Sequence, residues 1–278
     1  VQIIGIARNI DDRLPDIGTG TWVELDLNKL PERSYESIGS PDYLIHLAWD
    51  GLPKYQNKRH YEVELGIQYG FLKSLICDGL PSLLVAGTCF EYGMQSGSLT
   101  EKCVAKPSNP YGFAKNSLRE QLNFLRGEFD FKLTWARMFY TFGPGQSGAS
   151  LYSQLVSAIE RGDLSFAMSG GEQLRDFLSI EDAARYLVRL AMLNCNIGVV
   201  NVCSGRPVSV SSFVRELLLK NGWQIELELG KYPYPDYEPM AFWGDKAYLL
   251  TLLCSAGTKE VFWFPVVTWK FGFCTGWI

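Results

Sequence analysis

A chain of 278 residues, 47% hydrophobic and 20% charged, is long enough to bury a large core and reads as globular rather than disordered. Its formal net charge of -4 gives no basic excess, which excludes an electrostatic footprint for nucleic acid or anionic lipid and leaves a small molecule as the expected partner. The seven cysteines (77, 89, 103, 195, 203, 254 and 274) form no paired framework and no C-x-x-C spacing, and there are two histidines. Free thiols and no metal site are therefore expected. The N-terminus lacks the basic, apolar and small-residue succession of a signal peptide, so a cytoplasmic location is expected.

Short runs rich in Val, Ile and Leu alternate with longer stretches of helical period, the pattern of an α/β protein whose parallel strands are joined by crossover helices. Strands are expected at 1–8, 21–25, 43–48, 82–88 and 131–139. Between them lie helices at 58–77, which stops at Asp78-Gly79 before Pro81, and at 111–129, which starts after Asn109-Pro110. Further on come helices at 149–161, 180–193 and 211–220, with short strands near Phe166, Phe177 and Val200. No linker separates the halves. Two lobes on one continuous core are expected, a dinucleotide-binding lobe of residues 1–142 and 172–203 and a substrate lobe of 143–171 and 204–278. The cleft should lie at the C-terminal ends of the parallel strands. The apolar segment 261–278, broken by Pro265, Gly272 and Gly276, falls short of the roughly 20 residues a spanning helix needs, so no membrane partner is expected.

Tyr111 and Lys115 stand four residues apart at the start of an expected helix, so both side chains share one face. A free phenol, with a pKa of about 10, exchanges protons poorly at neutral pH, and a neighbouring ammonium favours its anion. Lys115 would thus tune Tyr111 as an acid or base. Upstream, an apolar strand runs into Gly87-Thr88-Cys89-Phe90-Glu91-Tyr92-Gly93, leaving the Thr88 hydroxyl at the strand's C-terminal edge, where it could bond the same carbonyl oxygen. Arg8 follows the first strand, where a dinucleotide-binding unit reads the ribose and an Arg can pair with a 2'-phosphate; NADP(H) is favoured over NAD(H), the alternative being an Arg that is simply solvated at a strand end. His46, within an apolar strand, reads as a core histidine rather than a base.

These features resemble the extended short-chain dehydrogenase/reductase family, which includes the NAD-dependent epimerases and dehydratases. The resemblance rests on Thr88, on the Pro-x-x-x-Tyr-x-x-x-Lys segment 107–115, on Ile45-His46-Leu47-Ala48, on the 137–145 run and on Arg175-Asp176-Phe177 followed by Asp182, and it covers residues 1 to about 245. It implies a Rossmann-like doubly wound sheet and a nucleotide-sugar substrate. Thr88, Tyr111 and Lys115 would be catalytic, and Asp26, Leu47 and Ala48 would lie beside the cofactor with Arg8. Cys89, Phe90 and Arg137 would lie beside the substrate, and Arg175 would hold its diphosphate, the alternative for Arg175 being an ion pair with Asp176. Asp26 could also simply cap a turn, and Asp182 reads as a helix cap. Tyr232, Tyr234, Tyr237, Phe242 and Trp243 could wall the nucleotide or the sugar, or could simply pack.

Within the family, residues 46–53, 87–93 and 242–245 are most similar to reductases that make dTDP-6-deoxy-L-talose or a related 6-deoxyhexose. The dehydratases follow the catalytic Thr with Asp-Glu, whereas Cys89 and Phe90 stand here, so elimination of water is disfavoured. The expectation is NADP(H)-dependent reduction of the C4 ketone of a dTDP-4-keto-6-deoxyhexose. A 4-epimerase and a non-catalytic sugar-nucleotide-binding remnant remain the alternatives. The chain opens inside the family's second strand, so the first strand and its glycine-rich turn are not in it, and Gly18-Thr19-Gly20, with no strand before it and no helix after, cannot stand in. Two unpaired sheet edges would follow. From Ala247 onward the sequence departs from the family pattern. The resemblance also implies a homodimer through the helices at 58–77 and 111–129, for which Phe71, Leu75, Leu118, Leu122 and Leu125 are the candidate contacts.

Overall fold

The structure is a computed structural model, and it describes residues 1–11 and 14–255. The expected segment 261–278 and Cys274 lie outside the described residues. Strands β1 (Ile4–Ala7) and β2 (Thr21–Glu24) pair in parallel, followed by the short helix α1 (Ser34–Ser37) and strand β3 (Leu44–His46). The helix expected at 58–77 enters through a π-helical turn, His60–Glu64, and continues as α2 (Leu65–Cys77). Strand β4 (Ser82–Thr88) is an apolar run of seven residues, all but Ala86 buried, because it lies between β3 and a later strand with both faces covered.

A single 3-10 turn, Cys89–Tyr92, then leads to β5 (Gly97–Leu99) and helix α3 (Pro110–Leu125). Helix α3 starts there for a local reason. Asn109 caps it, its side chain accepting from Gly112 N at 2.8 Å, and Pro110 fills the first helical position, where its missing N–H costs nothing. Next come β6 (Lys132–Met138), β7 (Tyr140–Phe142), α4 (Leu151–Arg161), β8 (Ser165–Ala167), β9 (Leu174–Ser179) and α5 (Ile180–Met192). The described chain ends with β10 (Gly198–Val202), β11 (Pro207–Ser209), α6 (Val210–Asn221), β12 (Glu226–Glu228), β13 (Phe242–Gly244) and α7 (Ala247–Ser255).

The central sheet is parallel, in the order β10-β6-β4-β3, and β1-β2 forms a separate pair. Among the described residues no strand joins β1 to β3, so each keeps an unpaired edge. Three small sheets, β11-β9-β7, β12-β8 and β13-β5, make the rest. There, α4 and α6 close a second core through Leu155, Phe166, Met168, Phe213, Val214 and Leu217. The five apolar residues offered for a dimer face, Phe71, Leu75, Leu118, Leu122 and Leu125, are instead buried in the chain's own main core, where α2 and α3 pack together beside the sheet. No helix among the described residues is long and apolar enough to cross a membrane.

Candidate active site

Strand β4 ends at Thr88, whose extended backbone (φ -147°, ψ 148°) turns the chain into the 3-10 turn. The Thr88 hydroxyl accepts from Phe90 N at 3.3 Å, while Thr88 N donates to Glu91 Oε1 at 2.8 Å, a reciprocal cap that fixes the side chain at the strand's end. Helix α3 rides directly on this turn. Gly112 permits the approach, since a Cβ there would come within 2.5 Å of the Phe90 carbonyl oxygen. The approach seats the first turn of α3, which carries Tyr111, on the turn that Thr88 begins.

One helical turn on, Lys115 Nζ donates to the Ala86 carbonyl at 2.9 Å, lies 4.1 Å from the centre of the Trp49 ring and is 6.0 Å from that of Tyr111. Thr88, Tyr111 and Lys115 are therefore brought together from β4 and α3, and all three are buried. Burial pushes the Tyr111 phenol well above its ordinary value, with the charge of Glu91 adding to it and the Thr88 hydrogen bond opposing it. The Lys115 ammonium is pushed down to about 7 by burial, against the pull of Glu91 and Glu64.

An aromatic wall surrounds the phenol. Tyr55, His60, Trp49 and Phe90 place their ring centres 5.6, 5.3, 5.9 and 6.3 Å from that of Tyr111. The loop that carries Tyr55 includes a cis Leu52-Pro53 bond and is tied to α3 by Tyr111 N donating to Tyr55 O at 3.1 Å. His60 Nδ1 accepts from Trp49 Nε1 at 3.1 Å, so its other nitrogen carries the hydrogen and donates to Lys54 O at 3.0 Å. Burial lowers its pKa, and a neutral ring results. His46 is a buried core histidine whose pKa is pushed down to about 3 by burial and by the nearby Lys115 charge.

The other expected residues fall in two groups. Arg8, Asp26 and Ala48 stand at the C-terminal ends of β1, β2 and β3. Arg8 is exposed, 3.9 Å from Asp50. Asp26 accepts from both Asn28 N (3.0 Å) and Asn28 Nδ2 (2.8 Å), which caps a turn and holds its carboxyl below the usual range. Leu47, beside Ala48, is half-buried. Arg137 and Arg175, in contrast, are deep in the protein with carboxylate partners. Arg137 Nε donates to Glu91 Oε2 at 2.8 Å beneath the Tyr92 ring. Arg175 pairs with Glu238 Oε1 at 3.2 Å and donates to the carbonyls of Leu174 and Met240.

Asp176 is not the ion partner of Arg175; it accepts from the backbone N–H groups of Ser204, Gly205 and Gly244. Asp182 sits in the first turn of α5, which is capped by Ser179. Cys89 and Phe90 are buried in the turn after Thr88. Of the expected aromatic wall, Tyr237 packs 6.2 Å from both Tyr55 and Phe90, Tyr232 and Tyr234 are exposed, and Phe242 packs against Tyr140. Sequence reasoning missed Glu91, Trp49, Tyr55 and Glu238 as parts of this neighbourhood. Only Glu91 carried a local signal, its three-residue spacing from Thr88 being that of a capping box.

A hydroxyl at a strand end, with a phenol and an amine one turn apart on the next helix over a parallel sheet, is an arrangement suited to proton exchange with a carbonyl or alcohol. The chain belongs to the NAD dependent epimerase/dehydratase family, which it matches over residues 1–203, and it has that family's Rossmann-like fold. Among curated proteins it is similar to the dTDP-6-deoxy-L-talose 4-dehydrogenase (NAD(+)) of Aggregatibacter actinomycetemcomitans, with 29% identity over 77% of this chain and 79% of that protein. It is also similar to the GDP-6-deoxy-D-talose 4-dehydrogenase of the same organism, at 26% identity over 84% and 81%. Among solved structures, MoeE5 in complex with UDP-glucuronic acid and NAD superposes with a TM-score of 0.76 at 25% identity, over 91% of this chain and 84% of that one.

Proposed function

We propose that this protein is a nucleotide-sugar 4-ketoreductase, reducing the C4 ketone of a dTDP-4-keto-6-deoxyhexose, with NADP(H) as its preferred hydride source. The observation that carries the reading is the convergence of Thr88, Tyr111 and Lys115 inside one aromatic-walled, buried site. The 4-dehydrogenases among the relatives support the reaction class and the 6-deoxyhexose.

The residues present fit the two ends of a nicotinamide dinucleotide. The phenol and ammonium of Tyr111 and Lys115 suit its nicotinamide riboside, and the exposed Arg8 guanidinium beside Asp26 suits its adenosine end. The exposed guanidinium is what favours a 2'-phosphate. When bound, the dinucleotide supplies the hydride. The protein's own part is to hold and move the proton. Thr88 donates a hydrogen bond to the C4 oxygen and fixes it against the phenol, Tyr111 gives its proton to that oxygen as charge develops there, and Lys115 steadies the charge left on the phenol. The aromatic rings keep water from the proton path.

The test is turnover of dTDP-4-keto-6-deoxyhexose with NADPH or NADH by the purified protein, alongside Tyr111→Phe. Wild-type reduction that is lost in a folded Tyr111→Phe supports the reading; a Phe variant with wild-type turnover overturns it, and release of a C4-inverted sugar without net reduction gives an epimerase instead. For self-association, the exposed Tyr61, Phe113 and Phe124 on the outer side of the α2 and α3 region replace the buried residues as the proposed dimer contacts. Sedimentation of Phe113→Asp/Phe124→Asp against wild type checks them.

A further inference from the structure

Away from the buried site, at the C-terminal ends of β1 and β3, two guanidiniums from different elements meet one carboxylate oxygen. Asp50 Oδ2 lies 3.9 Å from Arg8 Nη2 and 3.4 Å from Arg59 Nη2. Arg8 follows β1, Asp50 belongs to the loop after β3, and Arg59 directly precedes the π-helical turn that leads into α2. Asp50 is fixed by its own surroundings. Its backbone N–H donates to Glu64 Oε1 at 3.0 Å, and its Oδ1 accepts from Gly51 N at 2.8 Å, which leaves Oδ2 facing the two arginines. Arg59 is placed by its backbone N–H, which donates to Asn57 Oδ1 at 2.9 Å.

This cluster differs in kind from the buried pairs of Arg137 and Arg175. The side chains of Arg8, Arg59 and Asp50 are 58%, 44% and 40% exposed. Ion pairs so open to water contribute little to stability, so folding does not call for a second arginine here. Nor do the charges balance. Asp50 is shared by two cations, and the carboxylate of Asp26, which also faces Arg8, has Lys29 as a further cation beside it. One positive charge is left over. A phosphate monoester carries nearly two negative charges and several oxygens matched to the guanidinium fork, so it can engage both arginines and displace the single Asp50 oxygen. The ends of β1 and β3 are where a sheet of this kind receives the adenosine ribose of a dinucleotide.

We propose that Arg8, Arg59 and Asp50 form a clamp for the 2'-phosphate of the dinucleotide. Arg59 is its second arm, and Asp50 is the internal anion that keeps both guanidiniums aimed at one point until the phosphate takes its place. The inference rests on the NADP(H) preference proposed above and names the residues that set it.

The test is calorimetric titration of the full chain with adenosine 2',5'-bisphosphate and with adenosine 5'-monophosphate, which differ only in the 2'-phosphate. Wild type binds the bisphosphate about tenfold more tightly or better; Arg59→Gln weakens that binding about tenfold and leaves the monophosphate within about twofold. Asp50→Asn keeps an acceptor for Gly51 N but removes the competing charge, and it tightens the bisphosphate about threefold. Added salt narrows the preference, because the three side chains are exposed. Inorganic phosphate at equal concentration leaves the titration unchanged, and competition on equal terms would overturn the assignment to the ribose. An Arg59→Gln that binds both probes as wild type does overturns the clamp and leaves Arg8 and the NADP(H) preference standing. A wild type with no preference for the bisphosphate overturns the clamp and the cofactor preference together. Ketone reduction is then judged separately, by turnover with NADH.

Discussion

The Lys115 ammonium rests 4.1 Å from the centre of the Trp49 ring, and that indole is itself held by its N–H donating to His60. A cation over an aromatic face is stabilised, by about 2 kcal/mol when desolvated. Trp49 therefore offsets part of the burial that drives the Lys115 pKa down to about 7. Trp49→Leu removes the ring and leaves the burial. The Lys115 pKa falls further, the protonated fraction at neutral pH shrinks, and the optimum for ketone reduction moves to lower pH. A pH-rate profile of the variant reads this directly; an optimum at the wild-type position refutes it.

Lys115 itself should cost stability for the sake of the site. Its folded-state pKa, about 7, lies below the ordinary lysine value, so between the two the unfolded chain binds more protons than the folded one. Stability contributed by this position therefore rises with pH above about 7, and the penalty is fully present below it. Replacing a buried charge with a well-packed apolar chain is often stabilising, here by about 2 kcal/mol. Lys115→Met is expected to be inactive yet more resistant to urea than wild type at pH values near 6, with the gain shrinking toward pH 9. A gain that is independent of pH would show that the ammonium is not the source.

Much of this was legible from the sequence, because local rules and tertiary packing agree there. The strand expected at 82–88 and the helices that begin near residues 110 and 180 carry strong patterning and caps, and they start within a residue of expectation, although α3 ends at Leu125 rather than at 129. Thr88, Tyr111 and Lys115 were legible because two of them share a helix face and the third ends an apolar strand. The strands β5, β7, β11, β12 and β13 were not separately foreseen, since a three-residue strand has no periodicity to read. The partners of the arginines were also invisible: Glu238 lies 63 positions beyond Arg175, and only the fold sets them side by side. The apolar residues of α2 and α3 looked equally suited to a dimer face, because a hydrophobic stripe does not say what it packs against.

Asp176 links the ends of two strands to the rest of the molecule. Its carboxylate takes the backbone N–H groups of Ser204 (2.6 Å), Gly205 (2.9 Å) and Gly244 (3.3 Å) while fully buried. Asp176→Ala leaves these donors without an acceptor and should cost about 3 kcal/mol, with a Tm lowered by roughly 6–12 °C for a chain of this size. Asp176→Asn, which keeps an acceptor oxygen, should lose less. Differential scanning fluorimetry of the two variants checks the order, and equal losses would show that the N–H groups find water instead.

Arg175 carries the proposal of diphosphate binding, and its guanidinium is already engaged by Glu238, whose other oxygen accepts from the Tyr140 hydroxyl. An anionic ligand reaching Arg175 must therefore compete with an internal carboxylate. Glu238 lies on the irregular segment between β12 and β13, which includes the exposed Tyr232 and Tyr234. Such a segment can yield more readily than a strand of the core. The competition fixes the signs of two substitutions. Arg175→Met removes the cation and should weaken binding of a sugar nucleotide by tenfold or more, the loss of about 1.4 kcal/mol or greater. Glu238→Gln removes the competitor's charge and should tighten binding, because less of the ligand's affinity is spent on displacement. Calorimetric titration with a dTDP-hexose measures both. If Glu238→Gln instead binds more weakly than wild type, the carboxylate is a ligand contact in its own right, and the diphosphate must be held elsewhere.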